Sequence, residues 1–206
     1  MQCIHTINDI ISQENLLEAW KEFIKGKRNK KDVQKFQYNL FDNIKELYLD
    51  LKNNTYTHSL YYEFKISDPK PRIIHKAPVR DRLLHHAIHR VLYQFFKDIF
   101  IEDSYSCQIG KGTHKAIEKF KKYTDIVGCD NTKTVWILKC DIKKFFASID
   151  QGILIKILDG YIADKSIVDL LKTIIQSFNS GELGKGLPLG NLTSQLLVNI
   201  YMNEFD

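Results

Sequence analysis

Lys139-Cys140-Asp141-Ile142-Lys143-Lys144-Phe145-Phe146-Ala147-Ser148-Ile149-Asp150 is the stretch whose reading decides this chain. The residues just before it, Thr134-Val135-Trp136-Ile137-Leu138, are β-branched, aromatic and aliphatic, which predicts a buried strand. Such a strand would deliver Asp141 at its end, ahead of a turn with two aromatics. A carboxylate on a rigid edge can hold a divalent metal, and an aromatic wall a few residues on can pack against a sugar. The plainer reading is an Asp that ends a strand and caps a turn. Asp150 reads as a helix cap.

A second segment bears on that choice. Gly184-Lys185-Gly186-Leu187-Pro188-Leu189-Gly190-Asn191-Leu192-Thr193-Ser194-Gln195 runs into the apolar Leu196-Leu197-Val198-Asn199-Ile200-Tyr201. Gly186 and Gly190 let backbone approach a ligand, and a helix start presents free N–H groups. The structural alternative is a plain helix entry capped by Asn191 or Thr193. Together the two segments resemble the reverse transcriptases. The first looks like the palm motif carrying the first catalytic aspartate, the second like the motif beside the incoming nucleotide and template. Leu189-Gly190 followed by Ser194-Gln195, in place of Gln-Gly and Ser-Pro, resembles the enzymes of diversity-generating retroelements. Asp103-Ser104-Tyr105-Ser106-Cys107, Gly110-Lys111-Gly112-Thr113-His114-Lys115-Ala116 and Ala77-Pro78-Val79-Arg80-Asp81-Arg82-Leu83-Leu84-His85-His86-Ala87 agree with it. The likeness runs from about Ile11 to Asp206.

The resemblance implies an α+β right-hand polymerase fold, fingers and partial palm, mostly helical with a fingers hairpin and palm strands. An N-terminal helix and basic linker would occupy residues 1–32, fingers 33–133 and partial palm 134–206. The family's later Tyr-x-Asp-Asp hairpin is not found, since no Asp-Asp pair occurs in these residues, and the thumb is expected to be missing too. The expectation is therefore a polymerase fragment that is inactive alone. The family reaction adds deoxynucleotides to a primer 3′-hydroxyl on an RNA template, with two cations roughly 3.5–4 Å apart at the attacking and leaving oxygens. The implied metal is magnesium, or manganese in its place, on the Asp141 carboxylate and the Ile142 carbonyl. Phe146 stands where the family places its sugar-selecting aromatic, with Phe145 packed inward. Arg72 would reach the triphosphate and Lys65 add a point charge. Leu189 and Gly190 would line the nucleotide, and Leu189 stands where accurate enzymes often carry Gln, so copying errors at template adenines are expected. The implied partners are template RNA, a DNA or RNA primer, deoxynucleoside triphosphates and an accessory variability protein.

Size, charge and cysteines bound the alternatives. The chain has 206 residues, 44% hydrophobic and 27% charged, with a net charge of +5. That allows one large or two small domains and permits nucleic-acid binding without establishing it. Cys3, Cys107, Cys129 and Cys140 lack CxxC spacing, which argues against a zinc site and for reduced thiols in the cytoplasm. No apolar run reaches membrane-spanning length and the N-terminus lacks a signal pattern, so no membrane partner is expected. Lys27, Arg28 and Lys30 lie in a basic linker, Lys25–Lys31, that reads either as a solvated loop or as a nucleic-acid contact. Arg80, Arg82, Lys111 and Gln195 are further candidate nucleic-acid contacts.

Periodicity supplies the elements. Ser12 precedes a helical stripe, Leu16, Leu17, Trp20, Phe23 and Ile24. Val33, Phe36, Leu40, Ile44, Leu47, Tyr48 and Leu51 predict one amphipathic helix. Tyr61–Ile66 alternates as a strand, Ser67–Pro71 supplies a turn, and Arg72–Ile74 returns. Pro78–Ile99 reads as a long helix with Asp81 suited to its N-terminal dipole. Its His85, His86 and His89 read as structural, since no metalloprotease acid accompanies them. Helices are also predicted after Gly112, over Gly152–Tyr161 and over Lys165–Phe178. Two rival functions stand: a reverse transcriptase of group II intron or retron type, and a truncated, non-catalytic nucleic-acid-binding protein.

Overall fold

The computed structural model describes residues 2–67, 70–130 and 132–205. Helices dominate it. α1 (Ile7–Ile11) leads into α2 (Gln13–Phe23), whose N-cap Ser12 accepts from the Asn15 amide. Leu16, Ala19, Trp20 and Phe23 form the buried stripe of α2 at helical spacing. The next stripe does not make one helix. It divides into α3 (Lys31–Tyr38) and α4 (Leu40–Lys52), because Asn39 takes φ −114°, ψ 43°. The Asn43 side-chain amide donates to the Phe36 carbonyl at 2.8 Å, satisfying one acceptor freed at the break. Burial carries on across it: Val33, Ile44, Leu47 and Leu51 are all inside.

β1 (Tyr62–Ser67) and β2 (Pro71–Lys76) form the expected hairpin, antiparallel, with Lys65 opposite Ile73 and Ile66 opposite Arg72. Residues 68 and 69 of its turn lie outside the described residues. α5 (Val79–Phe96) is the central helix, packed against α1, α2, α3 and α10 (Leu192–Asn203). Leu83, Leu84, Ala87, Ile88 and Leu92 are buried along it. Burying a leucine contributes about 1.5–3 kcal/mol, so this row anchors the fold. Asp81 does more than suit a dipole: it is fully buried and accepts from the Tyr56 hydroxyl at 2.8 Å and the Ser59 amide at 3.2 Å.

α6 (Thr113–Val127) and the short α7 (Phe145–Ser148) precede α8 (Gln151–Tyr161) and α9 (Lys165–Gln176). Asp150 caps α8 through the Ile153 amide at 2.9 Å, and Asp164 caps α9 through Ser166 at 2.8 Å. The second oxygen of Asp164 accepts from the Ile7 amide at 2.6 Å. The Cys3 amide donates to the Tyr161 carbonyl at 2.8 Å, so the N-terminal segment is stitched to the α8–α9 corner.

The strand expected over Thr134–Leu138 is not formed. This stretch is irregular, with Trp136, Ile137 and Leu138 exposed. A strand requires a neighbour for its N–H and C=O groups. Among the described residues β1 and β2 pair only with each other, so none is on offer. The α+β class and the hairpin stand; the palm strand is absent from the described residues.

Candidate nucleotide and nucleic-acid site

The two segments singled out by sequence lie against each other. The Leu187 amide donates to the Phe146 carbonyl and the Gly186 amide to the Ile149 carbonyl, both at 2.8 Å, and Asp150 forms an antiparallel bridge with Lys185. Gly186 has φ +95°, and a Cβ there would meet the Ser180 Cβ at 2.6 Å, so glycine is required by both backbone and space. Beneath them, buried Gln151 donates its side-chain amide to the carbonyls of Ile175, Phe178 and Gly186 at 3.1, 2.7 and 3.0 Å. One side chain thus fastens the end of α9 and the following loop to the start of α8.

The loop also meets the hairpin. The His75 amide donates to the Leu189 carbonyl, and the Asn191 side-chain amide donates to the His75 carbonyl, both at 2.9 Å. Between hairpin, α5 and loop lies a cavity of about 380 Å³ lined by Phe64, Ile74, Lys76, Arg82, Gly190 and Gln195, among others. Pleat alternation puts Phe64, Ile66, Arg72, Ile74 and Lys76 on one hairpin face. Two cations of the cavity share an anion: Asp32 Oδ2 lies 2.7 Å from Lys76 Nζ and 2.6 Å from the Arg82 guanidinium. Although partial burial pushes the Asp32 carboxyl up, these two cations hold it below its ordinary value. Lys27 also lines the cavity, and its Nζ sits 4.7 Å over the Phe23 ring. Burial, then the Arg82 charge, lowers the Lys27 pKa. Burial likewise lowers His85, to about 3, and His86, to about 4, so these two cavity residues are neutral at pH 7.

The sequence-selected residues fall into three groups. Arg72, Arg82, Lys27, Leu189, Gly190 and Gln195 stand on or around the loop, the cavity and the hairpin face that borders it. Phe146 is half-buried beside the loop, with its ring 6.1 Å from Phe145; both rings pack on the core, so neither alone is the inward one. Lys65, Arg28 and Lys30 are exposed, and Lys65 lies on the hairpin face opposite to Arg72. Arg80 and Lys111 are engaged internally. Arg80 pairs with Asp50 at 2.5 Å, and Lys111 donates to the Glu102 carbonyl at 2.8 Å.

Asp141 and Ile142 are exposed in irregular chain, just ahead of Lys144, whose φ is +53°. They offer one carboxylate and one carbonyl. Magnesium requires a near-octahedral shell of hard oxygens. Among the described residues no group of three or more His, Cys, Asp or Glu side chains is placed to hold a metal ion. The described residues therefore do not by themselves form a magnesium site. Sequence reasoning read Asn191 as a candidate cap and did not single out Ile74, Lys76 or Gln151 for the site. Strand alternation from Arg72 signals Ile74 and Lys76. Nothing local signals the bonds of Asn191 and Gln151, whose partners are distant in sequence.

Residues 65–206 match the family described as reverse transcriptase (RNA-dependent DNA polymerase). Protein YkfC of Escherichia coli is 28% identical over 68% of this chain and 38% of its own length. The group II intron-encoded protein LtrA of Lactococcus lactis is 25% identical over 80% of this chain and 28% of its own. An uncharacterised 91 kDa protein in the cob intron of Schizosaccharomyces pombe is 28% identical over 62% of this chain and 16% of its own. The chain thus spans well under half the length of these relatives. A solved chain of a partial Cas6-RT-Cas1–Cas2 complex superposes with TM-score 0.67 at 20% identity, covering 98% of this chain and 35% of that one, a likeness of fold. Among the described residues no helix is long and apolar enough to cross a membrane.

Proposed function

The chain belongs to the reverse transcriptase family, and on that premise we propose that it supplies the fingers and first part of the palm of an RNA-directed DNA polymerase. The observation that carries this reading is the docking of the Phe146–Asp150 segment onto the Lys185–Asn191 loop, and of that loop onto the Arg72 hairpin beside a cationic cavity. In this reading Arg72 serves the triphosphate, Phe146 the sugar and Leu189-Gly190 the base; Lys65, on the opposite hairpin face, lies away from that group. Lys27, Arg28, Lys30 and Arg82 serve template and primer phosphates. Magnesium would engage Asp141 only with carboxylates from outside the described residues. Template RNA and an accessory variability protein are the proposed partners, and the free thiols of Cys3, Cys107, Cys129 and Cys140 support a cytoplasmic setting.

The finer reading is an error-prone enzyme of the diversity-generating type. Leu189 supports it, since Leu offers dispersion and shape where a Gln amide would hydrogen-bond. A second reading, group II intron type, is favoured by the likeness to LtrA. Primer extension on an RNA template tests both, using the polymerase that carries this segment together with its remaining carboxylates. Asp141→Asn is expected to abolish extension while the fold survives, because the amide keeps shape and loses charge. Near-normal extension would return Asp141 to a capping role. Sequencing the products separates the two types. Frequent errors at template adenines, lowered about three- to tenfold by Leu189→Gln, fit the first. Accurate copying fits the second.

A further inference from the structure

Asn191 occupies the N-cap position of α10, where an Asn side chain ordinarily accepts a hydrogen bond from the helix's own first turn. It makes no such bond. It is only 2% exposed, and its amide turns away to donate to the His75 carbonyl of β2. The reverse orientation would set two oxygens face to face, so the bond fixes the amide. The His75 amide closes a ring of contacts by donating to the Leu189 carbonyl. Between these bonds sits Gly190, with φ +102°, so close to the hairpin that a Cβ would meet the Ile74 Cγ2 at 2.7 Å. The next α10 residues, Thr193 and Ser194, are buried, so the loop cannot drift on the helix side. Among the described residues Asn191 Oδ1 has no partner, and its residue lines the cavity, so the side chain serves the hairpin and not the cap.

From this geometry we propose that Asn191 is a positioning residue that locks the Leu189-Gly190 loop to the hairpin bearing Arg72, and so sets nucleotide affinity and discrimination. The proposal rests on the polymerase reading above. The base-facing loop and the phosphate-facing strand hold a fixed separation because one side chain and one main-chain amide join them on either side of Gly190. Removing the side chain frees the His75 carbonyl and lets the loop and strand move apart, although neither Arg72 nor Leu189 has changed.

The test has two arms. In the 206-residue chain, amide exchange at His75 reports the lock directly. Asn191→Ala is expected to speed it with little change at the Leu187 amide, which bonds to Phe146. In the polymerase that carries this segment, Asn191→Ala is expected to raise KM for the matched deoxynucleotide about three- to tenfold, with kcat per active enzyme little changed. A lost fold would instead lower the active fraction and leave KM alone. Should Asn191→Ala fail to fold, Asn191→Ser keeps a polar side chain too short to reach His75 and carries the same expectation. Gly190→Ala, which drives a methyl into Ile74, is expected to raise KM as well. An unchanged KM and unchanged His75 exchange in a folded Asn191 variant would overturn the proposal. A parent enzyme without extension activity would overturn the polymerase reading instead.

Discussion

Residues 151–200 and residues 113–142 are both rich in large apolar side chains, yet they end in opposite places. Leu154 and Leu158 of α8 are fully buried, whereas Trp136 and Leu138 are 92% and 89% exposed. α6 repeats the point: Ile117, Phe120 and Ile126 make an amphipathic helix that buries none of its residues. Apolar pattern creates a demand for an opposing surface and does not create the surface. α8 meets α9 and α10, and its stripe is inside. The 134–142 stretch meets no partner strand among the described residues and stays open.

The widest gap should appear on truncation of one leucine from each region. Leu158→Ala removes a fully buried side chain and is expected to cost about 2–5 kcal/mol, since the cavity left behind adds to the lost transfer energy. Leu138→Ala is expected to stay within about 0.5 kcal/mol. Urea unfolding of both variants checks this. A large loss for Leu138→Ala would mean that the segment packs in solution and would break the contrast.

Acid should act next on the buried core, here through α5. An unfolded histidine takes up its proton near pH 6.5, whereas burial holds His85 at about 3. Between those values the unfolded chain binds a proton that the folded chain refuses, so stability is complete above about pH 6.5 and falls as the pH drops toward 3. Lowering the pH from 7 to 5 is expected to cost the His85 core about 2 kcal/mol, from about 1.4 kcal/mol per pH unit below 6.5. His86, lowered to about 4, acts in the same direction. His114 of α6 is exposed. A urea midpoint at pH 5 equal to or above that at pH 7 would contradict the assignment of His85 as a neutral core residue.

The same contrast governs what the sequence made legible. Helices whose stripes are covered locally, such as α2, α5 and α8, read correctly from period and caps, and Asp150 capped where it was expected. The break at Asn39 was hidden because the apolar stripe continues through it. Thr134–Leu138 has true strand composition, but pairing is non-local and no neighbour can be read from the residues themselves. The candidate site divides likewise. The loop and the Arg72 strand were visible as motifs, and alternation gives the face of Ile74 and Lys76. The Asn191 bond to His75 joins residues 116 positions apart, and no local signal encodes it.

The smallest effect is spectroscopic and leaves stability almost untouched. The chain has two tryptophans, Trp20 in the buried core and Trp136 in the open stretch. Trp20 is buried against Phe23 and Phe36, at ring distances of 5.6 and 5.3 Å. Trp136 has almost its whole surface in water. A neutral quencher such as acrylamide reaches an indole only where solvent does, so native emission should divide into one quenched and one protected component. Trp136→Phe is expected to remove the quenched component and to change stability by less than about 0.5 kcal/mol. Trp20→Phe should remove the protected component instead. If Trp136 is protected in the isolated chain, a surface within the chain covers the 134–142 stretch, and the two regions are alike after all. If it is open in isolation but protected once the segment sits in a larger polymerase, the demand that its apolar side chains create is met from outside the described residues.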